Sequence, residues 1–191
     1  LVDGLTVVRM HCVDTVVEAV TCPRGNPLKH ELKDGILAIT LAEPLKAGVG
    51  TRFTIRYLST PRLGLLFHKP TKESPDTPWF LYSQGQGTEN RRWVPSYDEP
   101  DDRLTWSVTV IAPKDLETVS NGTLSESVAN ADGTRTDRWR FPWRSPIYLL
   151  TLIVADLETV TERWKDVTLE YSAVPGHREE LVTSLKESAH M

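Results

Sequence analysis

Cysteine is scarce in this chain: Cys12 and Cys22 are the only two among 191 residues. A lone pair excludes a disulfide-stapled scaffold and a multi-thiolate metal framework, and both are expected to be free thiols. Long apolar runs are missing as well. The longest, Tyr148 to Ala155, is interrupted by Thr151 and falls far short of the roughly eighteen residues that a membrane-spanning helix needs. Basic charge is in deficit, with a net charge of −4, so the electrostatic footprint of a nucleic-acid binder is absent. Histidine is thin and scattered over His11, His30, His68, His177 and His190, and His-Glu-x-x-His occurs nowhere. His30-Glu31-Leu32-Lys33-Asp34 begins like that zinc-binding pattern but lacks the second histidine, and it is expected in a turn, not on a helix.

What the chain does have is strand and turn chemistry. Apolar segments at Leu5 to Cys12, Val16 to Cys22, Ile36 to Leu41, Arg52 to Leu58 and Leu65 to His68 are separated by Gly, Pro, Asn and Asp. Leu104, Trp106, Val108 and Val110 alternate with Thr105, Ser107 and Thr109, which predicts a strand with one buried face. Lys33-Asp34-Gly35-Ile36 predicts a hairpin turn, Asn121-Gly122 a second and Asp132-Gly133 a third. Tyr148 to Ala155 predicts a central strand buried on both faces, and Val167, Leu169 and Tyr171 a last strand. Trp106 is expected in the core, and Trp79, Trp93 and Trp143, beside prolines, partly exposed. From Gly176 the pattern changes to helix formers, with Leu181, Leu185 and Ala189 on one stripe. The fold class is therefore all-β, an antiparallel, twisted β-sandwich or saddle-like domain over residues 1–175, with the start of a C-terminal helix over 176–191.

One stretch concentrates polar chemistry: Tyr82-Ser83-Gln84-Gly85-Gln86-Gly87 through Asn90-Arg91-Arg92-Trp93 to Tyr97-Asp98-Glu99-Pro100. In an extended backbone Gln84 and Gln86 project to the same side, so two primary amides converge, each with donors and an acceptor. Gly85 and Gly87 leave room for a close approach. Ser83 and Ser96 have no histidine beside them, so nothing local supports a Ser-His nucleophile pair. Such a segment binds and does not attack. Its bland alternative is an irregular edge strand leading into a salt-bridged turn, with the paired carboxylates Asp98-Glu99 and Asp101-Asp102 solvated or bonded to arginine.

Ser83-Gln84-Gly85-Gln86, then Arg91, Val94-Pro95 and Asp98-Glu99-Pro100, resemble in order the N-terminal domain of the zinc metallo-aminopeptidases, the family of aminopeptidase N and leukotriene hydrolase. Val110 to Lys114, Val119-Ser120-Asn121-Gly122 and Tyr148-Leu149-Leu150 continue the likeness, which runs from about Leu37 onward. The resemblance implies a substrate-anchoring domain in which Gln84 and Gln86 line a peptide pocket facing a catalytic domain of the same polypeptide. Arg91, Asp98, Glu99 and Pro100 form its structural turn. It further implies zinc in the full-length protein, with the ligands and every catalytic residue outside this chain, and a fragment that is inactive alone. Gln86 departs from the pattern, since the family usually has a glutamate there for the substrate's α-amine. A non-catalytic binding module or assembly scaffold derived from that family is the alternative.

Overall fold

Asp34 and Gly35 both have positive φ, 51° and 75°, the backbone of a two-residue turn whose twist matches that of the flanking strands. It joins Lys33 to Ile36 as cross-strand partners, as its sequence predicts. In this computed structural model, which describes residues 3–185 and 188, that hairpin lies in the first of two compact units. Unit 1 comprises Leu1–Leu66, Ser83–Thr105 and Pro142–Thr151, and unit 2 comprises Phe67–Tyr82, Trp106–Phe141 and Leu152–Met191.

In unit 1, strands β1 (Leu5–His11), β3 (His30–Lys33) and β4 (Ile36–Leu45) form an antiparallel sheet of order β1-β4-β3. β2 (Thr15–Thr21) pairs antiparallel with β5 (Thr54–Ser59). Alternation turns Val20, Leu37 and Ile39 inward, where with Cys12 they form a buried cluster packed by Met10, Val17, Leu28, Leu32, Phe53 and Ile55. Each fully buried aliphatic side chain stabilises by roughly 1.5–3 kcal/mol. Burial also raises the Cys12 thiol pKa, despite an opposing hydrogen bond from Thr15.

Beyond these, β6 (Leu65–His68), β7 (Phe80–Ser83), β9 (Glu117–Ser120) and β12 (Leu152–Ala155) form a sheet of order β6-β7-β12-β9. β8 (Leu104–Pro113), β10 (Thr123–Ala129) and β11 (Thr134–Ser145) form another, of order β10-β11-β8. The alternation along β8 is realised, its even-numbered residues more buried than its odd-numbered ones, and Trp106 stacks on Phe141 with centroids 4.4 Å apart. β13 (Glu158–Trp164) and β14 (Val167–Ala173) make a hairpin, against which α1 (Arg178–Leu185) lies with Leu181 and Leu185 partly covered. Ala189, the third residue of the predicted stripe, lies outside the described residues. The fold is all-β and antiparallel, and among the described residues it has one short α-helix, toward its C-terminal end.

Three local expectations are corrected. His30-Glu31 lies in β3, not in a turn; the His30 Nδ1 is 3.1 Å from the Leu28 carbonyl, a contact local to the chain. Asn121-Gly122 is a turn but closes no hairpin, because β9 pairs with β12 while β10 pairs with β11. The backbone there hugs β11 so closely that a Cβ on Gly122, whose φ is +90°, would sit 2.0 Å from the Arg140 carbonyl oxygen. Tyr148 to Ala155 is only half strand. Ile147–Leu149 is a 3-10 turn capped by Pro146, and only Leu152–Ala155 forms the central, buried β12.

Candidate functional site

From Ser83 onward the polar stretch belongs to unit 1, and the extended backbone ends sooner than its sequence implies, at Ser83. Gln84 N–H donates to the Gly64 carbonyl at 2.8 Å, and residues 86–89 turn. Gln84 and Gln86 are exposed on either side of buried Gly85. Neither carboxamide has a hydrogen-bond partner among the described residues. The group that comes close to Gly85 is the chain's own Asn90, whose Oδ1 lies 2.5 Å from where a Cβ would be. Gly64 is as tightly held: at φ +81° its missing Cβ would meet the Glu89 carbonyl oxygen at 2.1 Å. Gly87, by contrast, faces open space.

Asn90 is the post on which the loop turns. It is 0% exposed, and its Nδ2 donates to the Ile147 carbonyl at 2.6 Å and the Leu150 carbonyl at 3.1 Å. Its Oδ1 accepts from the indole N–H of Trp93 at 2.8 Å. Every polar atom of the amide is used. Trp93, expected to be partly exposed, is buried for this reason: the polar handle that its ring carries has a partner inside.

The carbonyls of the short 3-10 helix Asn90–Arg92 and of Trp93 are tied down in turn. Val13 N–H donates to the Arg91 carbonyl at 3.0 Å, the Ser59 hydroxyl to the Arg92 carbonyl at 2.5 Å, and the Tyr57 hydroxyl to the Trp93 carbonyl at 2.8 Å. Burial raises the Tyr57 pKa, with the nearby Cys12 adding to the effect. Arg92 bridges Glu89 and Asp14, the latter at 2.9 Å, and both carboxylates raise its pKa further.

Arg91 meets the turn that follows. Asp98, 1% exposed, accepts from the Arg91 backbone N–H at 2.9 Å and from Nε at 3.4 Å. Arg91 Nη2 donates to the Asp98 carbonyl and, at 3.1 Å, to Glu99 Oε1. Removing the arginine would leave this buried carboxylate without its paired cation, at a cost of about 3–5 kcal/mol. Sequence reasoning missed His11 here. Asp98 N–H donates to its Nδ1 at 3.1 Å, which places the ring proton on Nε2, facing Glu99 Oε1 at 3.5 Å. Pro100 is exposed, and the backbone turns there with Asp102 N–H bonded to the Glu99 carbonyl.

What results is a rigid frame that presents two free amides to solvent. Among the described residues no three His, Cys, Asp or Glu side chains are grouped so as to hold a metal ion, and no helix is long and apolar enough to cross a membrane.

The fold is all-β and carries a Gln-Gly-Gln loop followed by an Arg-Asp-Glu turn. Residues 6–149 match the model of the peptidase M1 N-terminal domain, and the chain belongs to that family. It is similar to aminopeptidase N of Acetobacter pasteurianus, 29% identical over 153 residues, which cover 77% of this chain and 42% of that protein. It is also similar to aminopeptidase N of Haemonchus contortus, 36% identical over 100 residues, 49% of this chain and 10% of the relative. The crystal structure of an M1 zinc metallopeptidase from Deinococcus radiodurans superposes with a TM-score of 0.71 at 20% identity, over 97% of this chain and 46% of that one. That likeness establishes the fold. The chain spans less than half the length of each of these proteins.

Proposed function

We infer that this chain is the substrate-anchoring N-terminal domain, residues 1–175 followed by the start of a connecting helix at Arg178–Leu185, of a longer zinc aminopeptidase that releases N-terminal residues from peptides. The observation that carries the reading is the pair of exposed, unpartnered carboxamides of Gln84 and Gln86, on a loop that the buried Asn90 and Asp98 brace. A carboxamide oxygen accepts from the substrate ammonium, and the amide N–H groups donate to its first carbonyl. Fixing the substrate N-terminus in this way places the scissile bond at a set distance from the catalytic centre, which converts binding energy into orientation. Zinc, when bound by a catalytic domain elsewhere in the polypeptide, supplies the activated water.

Gln86 favours a second reading. A neutral amide offers the ammonium no opposite charge, so a non-catalytic binding module derived from the family also accounts for the loop. The two separate on one assay, in which the zinc-loaded full-length protein is given a free-amine peptide and its N-acetylated counterpart. Release of the first residue from the free-amine peptide alone is expected, with none by the 191-residue chain in isolation. Equal cleavage of both peptides, or of neither, overturns the aminopeptidase reading.

A further inference from the structure

Where β2 ends and β5 begins, unit 1 carries a groove of about 420 Å³. That falls in the range of roughly 300–1,000 Å³ common to small-molecule sites. Leu28, Leu41 and Leu45 give it an apolar wall, and Leu28 also packs on the buried cluster of Cys12, Val20, Leu37 and Ile39, so the wall continues into the core. Arg24 and Arg52 line the same groove, and neither guanidinium has a hydrogen-bond or ion-pair partner among the described residues. Glu43 contributes the only carboxylate of the lining, which leaves two positive charges against one negative. The half-buried thiol of Cys22 sits on the wall.

Apolar surface and unpaired guanidinium groups in one groove recognise a particular chemistry. The leucines favour an alkyl chain, because it leaves water on binding. Each guanidinium presents a planar fork that matches a carboxylate. Glu43 penalises a second negative charge on the ligand. We propose that this groove binds a monoanionic amphiphile, a free carboxylate on an unbranched alkyl chain, with the tail on Leu28, Leu41 and Leu45 and the head at Arg24 and Arg52. The assignment is independent of the peptide-anchoring loop, none of whose residues line the groove.

Cys22 reports on occupancy. In the full-length protein, decanoate below its micellar concentration is expected to abolish alkylation of Cys22 by iodoacetamide, followed residue by residue by mass spectrometry. Decanol and decylamine at the same concentration leave the reaction unchanged. Replacing both arginines, Arg24→Gln with Arg52→Gln, raises the decanoate concentration for half-protection by about tenfold, at roughly up to fivefold for each exposed charge pair. Glu43→Gln lowers it, an opposite shift that a folding defect does not produce. Failure of decanoate to protect, equal protection by decanol, or indifference to the arginine pair would each overturn the proposal. So would protection by N-acetyl-trileucine without protection by decanoate, which assigns the groove to a peptide C-terminus.

Discussion

Asn90→Asp changes one atom's chemistry and almost no volume, so its cost is set by hydrogen bonding and charge and not by packing. The native amide donates to the carbonyls of Ile147 and Leu150 from a side chain that is 0% exposed. An ionised aspartate donates to neither, and it brings acceptor oxygens against two carbonyl oxygens. The Ile147 carbonyl keeps the Leu150 N–H at 2.9 Å, whereas the Leu150 carbonyl loses its donor, and a buried carbonyl in that state costs about 1–3 kcal/mol. With the desolvated charge, the total is on the order of 3–5 kcal/mol, a large share of the roughly 5–15 kcal/mol that keeps a domain folded. The bond from Trp93 survives, because an oxygen remains to accept it. The loss depends on pH in a definite sense. Burial raises the pKa of the new carboxyl in the folded state, so protonation relieves the penalty and restores one donor, and the penalty grows as pH rises through that folded value. Urea unfolding followed by tryptophan fluorescence at pH 7 and pH 5 measures this, with Trp93 as a nearby reporter. A midpoint close to wild type at pH 7, or a deficit that deepens on acidification, would refute the role given to Asn90.

Gly64, packed against the loop, and Gly87, within it, separate collision from strain. Gly64→Ala places a Cβ 2.1 Å from the Glu89 carbonyl oxygen and is expected to abolish folded expression, whereas Gly87→Ala, in open space at φ +87°, costs only about 1 kcal/mol by thermal unfolding. The two thiols differ: a kinetic titration with a disulfide reagent should modify Cys22 and leave Cys12, buried and with a raised pKa, unreacted until the protein unfolds. Burial raises the Asp137 pKa, but hydrogen bonds from Thr118 and Ser127 and the charge of Arg135 outweigh it, and the net shift is downward. A depressed carboxyl stabilises the fold above its unfolded pKa of about 3.9 and stops doing so as pH falls through its folded value. Asp137→Asn is therefore expected to lower the urea midpoint at neutral pH and to flatten its decline in acid, and an unchanged pH profile would refute that linkage.

Regular local patterns reached the structure intact, and long-range polar contacts did not. The period-two alternation of Leu104 to Val110, the Asp34-Gly35 turn and the short strand Leu65–His68 all depend on neighbours a few residues away, and each is present as its sequence implies. Tyr148 to Ala155 misled because two of the backbone carbonyls at its edge serve Asn90, 57 and 60 positions earlier, and periodicity is blind to that distance. Asn121-Gly122 carries hairpin chemistry whose flanking strands were claimed by other partners. β3 and β13 escaped notice because their charged residues dilute the apolar signal. At the candidate site the residue types of Gln84, Gln86, Arg91, Asp98 and Glu99 stood out in the chain. His11, Asp14, Tyr57 and Ser59, which brace the loop, come from distant strands and connections, and nothing in their spacing announced them.

The anchoring role of Gln86 can be tested in the full-length protein by comparing the KM of wild type and Gln86→Glu for one free-amine peptide. Adding a carboxylate where an ammonium docks should lower KM by about fivefold to tenfold, as a charge-assisted hydrogen bond replaces a neutral one. Unchanged KM and kcat would contradict the account, because they would mean that residue 86 does not meet the substrate's amine.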